Sequence, residues 1–148
     1  MGHNPLPWPR VEDGQDERPG PKCYCGNHGC IETFLSGPSV ARDHERHAGT
    51  KLRAEEIVAA AQAGDVAARA TLARYADRLA RGLATIINVF DPEVVVFGGG
   101  MSNAAFIYED VPKIVPRYVF SDALATRFVR NRHGDSSGVR GAAWLWPA

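Results

Sequence analysis

Apolar positions recur along the chain with two different periods, and a proline-rich stretch precedes both. From Asp65 to Phe90, residues Leu72, Ala76, Leu79, Leu83, Ile86 and Phe90 fall at intervals of three or four, which lines up one face of a helix. This segment is expected to be a core helix, ended by Asp91-Pro92. Glu93 to Phe97 is a short, β-branched, nearly unbroken apolar run, the pattern of a parallel strand buried on both faces. Gly98, Gly99 and Gly100 follow at its C-terminal end. Upstream, the pattern predicts a helix from Cys30 to Ser36 stopped by Gly37-Pro38, a second capped by Ser39, and a third over Leu52 to Ala63 ended by Gly64. Downstream, it predicts a helix around Ala104 to Tyr118 interrupted by Pro112 and Pro116, and a strand around Arg127 to Arg130. A turn over His133 to Gly138 then leads into a last small-residue helix ending in Trp144 and Trp146.

Residues 1–29 break this alternation. Pro5, Pro7, Pro9, Pro19 and Pro21, with several glycines, exclude long helices and central strands there. The organisation expected is an irregular arm, 1–29, on an α/β unit, 30–148, forming one domain. Composition then narrows the function classes. The 148 residues carry 17 Lys+Arg against 17 Asp+Glu, so neither a polyanionic partner nor nucleic acid is favoured. With no apolar run of the roughly 18 to 20 residues a membrane span needs, and no signal-peptide core, a soluble cytoplasmic chain is expected. In that reducing setting, three cysteines clustered in eight residues suit a metal better than a disulfide framework.

The cluster is Cys23-Tyr24-Cys25-Gly26-Asn27-His28-Gly29-Cys30, with His3 twenty residues upstream. Three thiolates and one neutral imidazole would fill a tetrahedral zinc shell, leaving no open position for a reactive water, so the ion would be structural. His3 and His28 both compete for the fourth place. His44, His47 and His133 read as surface or capping residues. Glu32, two residues past Cys30, either complements a helix dipole or, held by a metal-fixed loop, accepts hydrogen bonds from sugar hydroxyls. The run Gly98-Gly99-Gly100-Met101-Ser102-Asn103 lets a ligand approach the backbone at a strand end, where open α/β sheets bind ligands. It is neither a spaced dinucleotide fingerprint nor a Walker loop.

Four blocks together resemble the ROK family of sugar kinases and repressors, most closely its bacterial fructokinase or manno(fructo)kinase branch. They are Gly2 to Trp8, Cys23-x-Cys25-Gly26-x-x-Gly29-Cys30-x-Glu32, Val94 to Gly100, and His133 to Ala143. The resemblance implies the C-terminal portion of an actin-like ATPase (ribonuclease H-like) sugar kinase fold, α/β, with an irregular zinc-binding arm. It implies zinc on His3, Cys23, Cys25 and Cys30, hexose hydroxyls on His3 and Glu32, and the adenosine of ATP beside Gly98, Gly99 and Gly100. The activity implied is MgATP-dependent phosphorylation of a hexose, fructose first.

The family's N-terminal phosphate loop and its catalytic aspartate have no counterpart here, so no catalytic residue is expected in this chain. On its own it is expected to be an inactive or barely active kinase fragment. Apolar surface normally covered by the missing half should be exposed, and a homodimer is expected. Two other readings share the zinc block. One is a sugar-sensing repressor of the same family, which would carry a helix-turn-helix; the other is a zinc module unrelated to sugars.

Overall fold

The fold is organised by α4, a 25-residue helix spanning Val66–Phe90. Asp65 caps it, accepting from the Ala68 N–H at 2.7 Å, and Asp91 ends it in a left-handed conformation. Every residue from Arg78 to Ala84 is buried, so other elements surround this part of the helix on all sides. The computed structural model describes residues 1–11, 16–134 and 137–145.

Helices α1 (Glu32–Leu35), α2 (Gly37–Ala48) and α3 (Ala54–Gln62) all pack against α4. The expected break at Gly37-Pro38 is not a break between separated helices. Ser36 is the cap of α2 and Pro38 occupies its first turn, where a missing N–H is harmless. Ser39, expected as the cap, is buried inside α2 and donates to the Glu32 carbonyl at 3.0 Å. His44 is likewise not a surface residue: it is buried, with Nδ1 3.0 Å from the Thr71 hydroxyl of α4.

After α4, β1 (Val94–Phe97) pairs in parallel with β2 (Arg127–Arg130), Val94 opposite Arg127 and Phe97 opposite Arg130. Between them come a 3₁₀ turn (Gly100–Asn103), α5 (Phe106–Glu109), α6 (Val111–Ile114) and a second 3₁₀ turn (Val115–Arg117). The single helix expected over this stretch is broken because Pro112 and Pro116 each sit at the start of a new short turn. Val111, Val115, Ile107 and Ala104 nevertheless reach the core, packing with Leu72, Tyr75, Leu79 and Leu83 of α4. A final helix, α7, covers Ser137–Ala143; Asp135, Ser136 and Trp146 lie outside the described residues.

Burial on both faces of β1 is not observed. Val95 and Phe97 pack on the core, and Phe97 stacks on Phe128 at 6.0 Å, while Val96 is 59% exposed. Among the described residues nothing covers its second face. The same holds for the last turn of α4, where Phe90, expected in the core stripe, is exposed and Ile87 is buried in its place.

The arm is irregular but firmly tied. It forms two antiparallel bridges, Pro5 with Cys30 and Lys22 with His28. Gly20 and Gly29 both have positive φ, and a Cβ on Gly29 would lie 2.7 Å from the Pro19 carbonyl oxygen. Glycine is required there because two backbone segments touch.

Candidate sugar and metal site

Backbone pairing brings the two ends of the arm together. The Glu32 N–H donates to the Gly2 carbonyl and the Ile31 N–H to the Asn4 carbonyl, both at 2.9 Å, which sets His3 beside Cys30 and Glu32. A tight turn follows Cys23, whose N–H donates to the Asn27 carbonyl at 2.8 Å, and turns Cys25 back toward Cys30. His3, Cys23, Cys25 and Cys30 thus converge, with their donor atoms all within 4.8 Å of one another. His3, and not His28, belongs to this group. Among the described residues no other His/Cys/Asp/Glu group of this kind occurs.

Two of the spacings match those of a tetrahedral ion's ligands. Metal bonds of about 2.3 Å to sulfur and about 2.0 to 2.1 Å to nitrogen give tetrahedron edges of roughly 3.8 Å between sulfurs and roughly 3.6 Å from sulfur to nitrogen. The Cys25 and Cys30 sulfurs stand 3.6 Å apart, and Cys23 Sγ lies 3.5 Å from His3 Nδ1. All three thiols are unpaired. Their charges conflict without a cation: a hydrogen bond from Asn27 brings Cys25 down to about 7, while burial and the neighbouring thiols push Cys30 up to about 12. A divalent ion would remove this conflict, because it stabilises all the thiolates at once.

The other edge of the His3 ring faces Glu32, with Nε2 3.5 Å from a carboxylate oxygen. Both side chains are partly open to solvent. Tyr24, whose side chain sequence reasoning passed over, reaches across them: its hydroxyl is 2.8 Å from His3 Nε2 and 3.5 Å from the same Glu32 oxygen. The two candidate sugar contacts are therefore adjacent, and one of them is joined to the metal donors.

The glycine run lies apart from this cluster. Gly98, Gly99 and Gly100 are exposed at the C-terminal end of β1, with Gly99 at φ 79°, and the turn is fixed by Ser102 donating to the Gly99 carbonyl at 2.7 Å. Asn131, after β2, donates to both the Phe97 carbonyl and the Ser102 hydroxyl. A cavity of about 530 Å³ opens beside the run, lined by Gly100, Met101, Asn103, Gly37, Pro38 and Val58. Another, of about 590 Å³ between α3, α4 and α5, holds none of the candidate site residues.

Sequence reasoning also missed the network that holds the arm on α4. Glu17 is fully buried and receives Arg78 Nε at 2.7 Å and Arg81 Nη1 at 2.9 Å. Arg78 bonds Asp43 as well, Arg81 bonds Asp77, and Arg81 also donates to the Pro7 and Trp8 carbonyls. Burial alone would push the Glu17 carboxyl up, but hydrogen bonds from Arg81, Arg78 and the Arg10 amide outweigh it and hold the carboxyl below its ordinary range. No local pattern announces a carboxylate whose partners lie 61 and 64 residues away.

Comparison with known proteins agrees with this architecture. An N-acetyl-D-glucosamine kinase from Aliivibrio salmonicida is 39% identical over 145 residues, and one from Escherichia coli O1:K1 is 41% identical over 145 residues. Each match covers 98% of this chain and 48% of the relative, so the chain spans about half the length of the curated relatives it matches. Among solved structures, a ROK family glucokinase from Streptomyces griseus in complex with glucose and AMPPNP superposes with a TM-score of 0.76, at 25% identity, over 86% of this chain and 47% of its own. A ROK hexokinase from Thermus thermophilus gives 0.71 at 33% identity, over 84% and 44%. A ROK family transcriptional regulator, a homologue of the E. coli MLC protein, gives 0.68 at 26%, over 85% and 35%. The ROK family profile itself matches residues 1–148. This chain belongs to the ROK family and shares the fold of its sugar kinases.

Proposed function

We propose that this chain is the sugar-binding and metal-binding portion of an ATP-dependent sugar kinase, with N-acetyl-D-glucosamine the acceptor to test first. Fructose, the acceptor suggested by the sequence motifs, moves behind it because the curated relatives named above are N-acetyl-D-glucosamine kinases. The reading is carried by the two edges of the His3 ring. Nδ1 lies 3.5 Å from Cys23 Sγ and Nε2 lies 3.5 Å from Glu32. With Nδ1 on a metal, Nε2 must carry the proton, so His3 donates to a sugar oxygen while Glu32 accepts from a sugar hydroxyl.

His3, Cys23, Cys25 and Cys30 would hold zinc, which fixes the loop and the ring and takes no part in phosphoryl transfer. The cavity beside Gly98, Gly99 and Gly100 would receive the nucleotide, its Mg²⁺ travelling with the phosphates. None of the residues placed here is positioned as the base that deprotonates the sugar, so the reaction needs a group from elsewhere in the protein. A homodimer belongs to the same reading, supported by the exposed apolar side chains Phe90, Val96 and Phe120.

The test is twofold. Titration calorimetry of the zinc-loaded chain with N-acetyl-D-glucosamine, glucose, mannose and fructose should show binding that chelation abolishes. Coupled ADP release by a protein carrying this chain together with the family's phosphate loop and catalytic aspartate should rank the same sugars. No sugar binding in the first assay and no sugar-dependent turnover in the second would refute the reading. The structural likeness to a transcriptional regulator keeps sugar sensing as a second reading, favoured if sugar binds and turnover is absent.

A further inference from the structure

We propose that Tyr24 is a built-in competitor of the sugar, its hydroxyl occupying the pair of contacts that a substrate hydroxyl needs. The inference rests on the sugar-binding reading of His3 and Glu32. A sugar hydroxyl in that site would accept from His3 Nε2–H and donate to the Glu32 carboxylate. A phenol has the same donor and acceptor capacity. The Tyr24 hydroxyl is placed to do both, 2.8 Å from His3 Nε2 and 3.5 Å from Glu32 Oε2. Its ring meets the His3 ring edge-on at 4.9 Å and 86°. No sugar can make both bonds while the phenol holds them.

The geometry also makes the phenol displaceable. Tyr24 is 81% exposed, so little buried apolar area keeps it in place. Its neighbours Cys23 and Cys25 both belong to the candidate metal-binding group, which would anchor the backbone, while the side chain itself stands largely in solvent. A polar cavity of about 110 Å³ adjoins the pair, lined by Lys22, Glu32, Thr33, Ser39 and Arg42 along with Tyr24 itself. Sugar hydroxyls beyond the first would find partners there. The result is a site that is closed by a weak internal ligand and opens when a sugar replaces it. Apparent affinity is then lowered by the fraction of molecules with the phenol in place.

Calorimetry of zinc-loaded protein with N-acetyl-D-glucosamine separates this inference from the reading beneath it. Tyr24→Phe keeps the ring and removes the hydroxyl. It should leave zinc stoichiometry unchanged and tighten sugar binding about two- to tenfold, the worth of one partly exposed hydrogen bond. Glu32→Gln should weaken binding by about tenfold or more, because a charged acceptor is lost. If Glu32→Gln weakens binding but Tyr24→Phe leaves it unchanged or weaker, the competitor role is overturned and the sugar site stands. If the wild type binds no sugar, or Glu32→Gln has no effect, the sugar site and the inference fall together. O-acetylation of tyrosine, mapped by mass spectrometry, gives an independent readout. Saturating sugar should raise labelling of Tyr24, and protection of Tyr24 by sugar would overturn the proposal.

Discussion

Replacing Glu17 with glutamine removes one negative charge from a site where two arginines depend on it. The Glu17 side chain is 0% exposed, Arg81 is 0% and Arg78 is 5% exposed, so water cannot take over the lost partner. Removing one member of a buried pair costs about 3 to 5 kcal/mol when the other charge is left alone. Here it is not entirely alone: Arg78 keeps Asp43 at 2.8 Å, and Arg81 keeps Asp77 at 3.0 Å and two backbone carbonyls. The amide also retains one acceptor oxygen. The expected loss is therefore about 2 to 4 kcal/mol, or roughly 5 to 15 °C in Tm for a chain of this size. Thermal melts followed by circular dichroism measure it, with the exposed Glu55→Gln as a control expected within about 0.5 kcal/mol of wild type. Because Glu17 ties the arm to α4, the same variant should also lose zinc faster to a chromophoric chelator. A Glu17→Gln protein within about 1 kcal/mol of wild type, with unchanged zinc release, would show that the network is incidental to stability.

Other outcomes follow from the same geometry. Cys25→Ser should lower bound zinc and Tm together, and unchanged metal by atomic absorption would count against the site. Gly99 sits at φ 79° and ψ 173°, a region costly to other residues, so Gly99→Ala should cost about 1 to 3 kcal/mol and weaken ATP binding; equal Tm values for the two proteins would contradict this. The Glu17 carboxyl is held below its ordinary value of 4.5 in the folded state, so its stabilisation is complete above that pH and is lost as pH falls through the lower folded value. The Tm gap between wild type and Glu17→Gln should therefore be constant from pH 7 to about 5 and close below 4.5, and a gap unchanged at pH 3 would exclude the carboxylate as its source.

What the sequence could reveal depended on how local the deciding interaction was. The body of α4 and its end at Asp91 follow from neighbours within a few residues and are read correctly from the chain, while Asp65, read as the first residue of the segment, is its cap. The spacing of Cys23, Cys25 and Cys30 is equally local, whereas the choice between His3 and His28 needed the Pro5–Cys30 bridge that folds the arm back. Val94 to Phe97 misled because a β-branched run states what a strand could bury, not what is present to cover it. Arg78 and Arg81 look like polar-face residues until a carboxylate from the arm arrives. Tyr24 gives no signal at all, since any residue can separate two cysteines; only the fold brings its hydroxyl to His3 and Glu32.

The arm is held by two devices with different physical sensitivities. Near its ends, thiols and an imidazole lie at metal-binding distances, a grip that chelators and oxidants would attack. In its middle, a buried carboxylate holds two arginines, a grip that acid attacks and chelators do not. Neither suffices for a sugar site, because His3 belongs to the first group while the helix that supports Cys30 and Glu32 packs on α4. Phe34 of α1 makes this connection directly, lying under the Arg78 guanidinium at 5.1 Å. The same arginine that receives Glu17 thus supports the short helix that begins at Glu32. A carboxylate outside the candidate sugar site is therefore part of the frame that sets the separation between His3 and Glu32, and under the proposed function that separation would decide which hydroxyl fits between them.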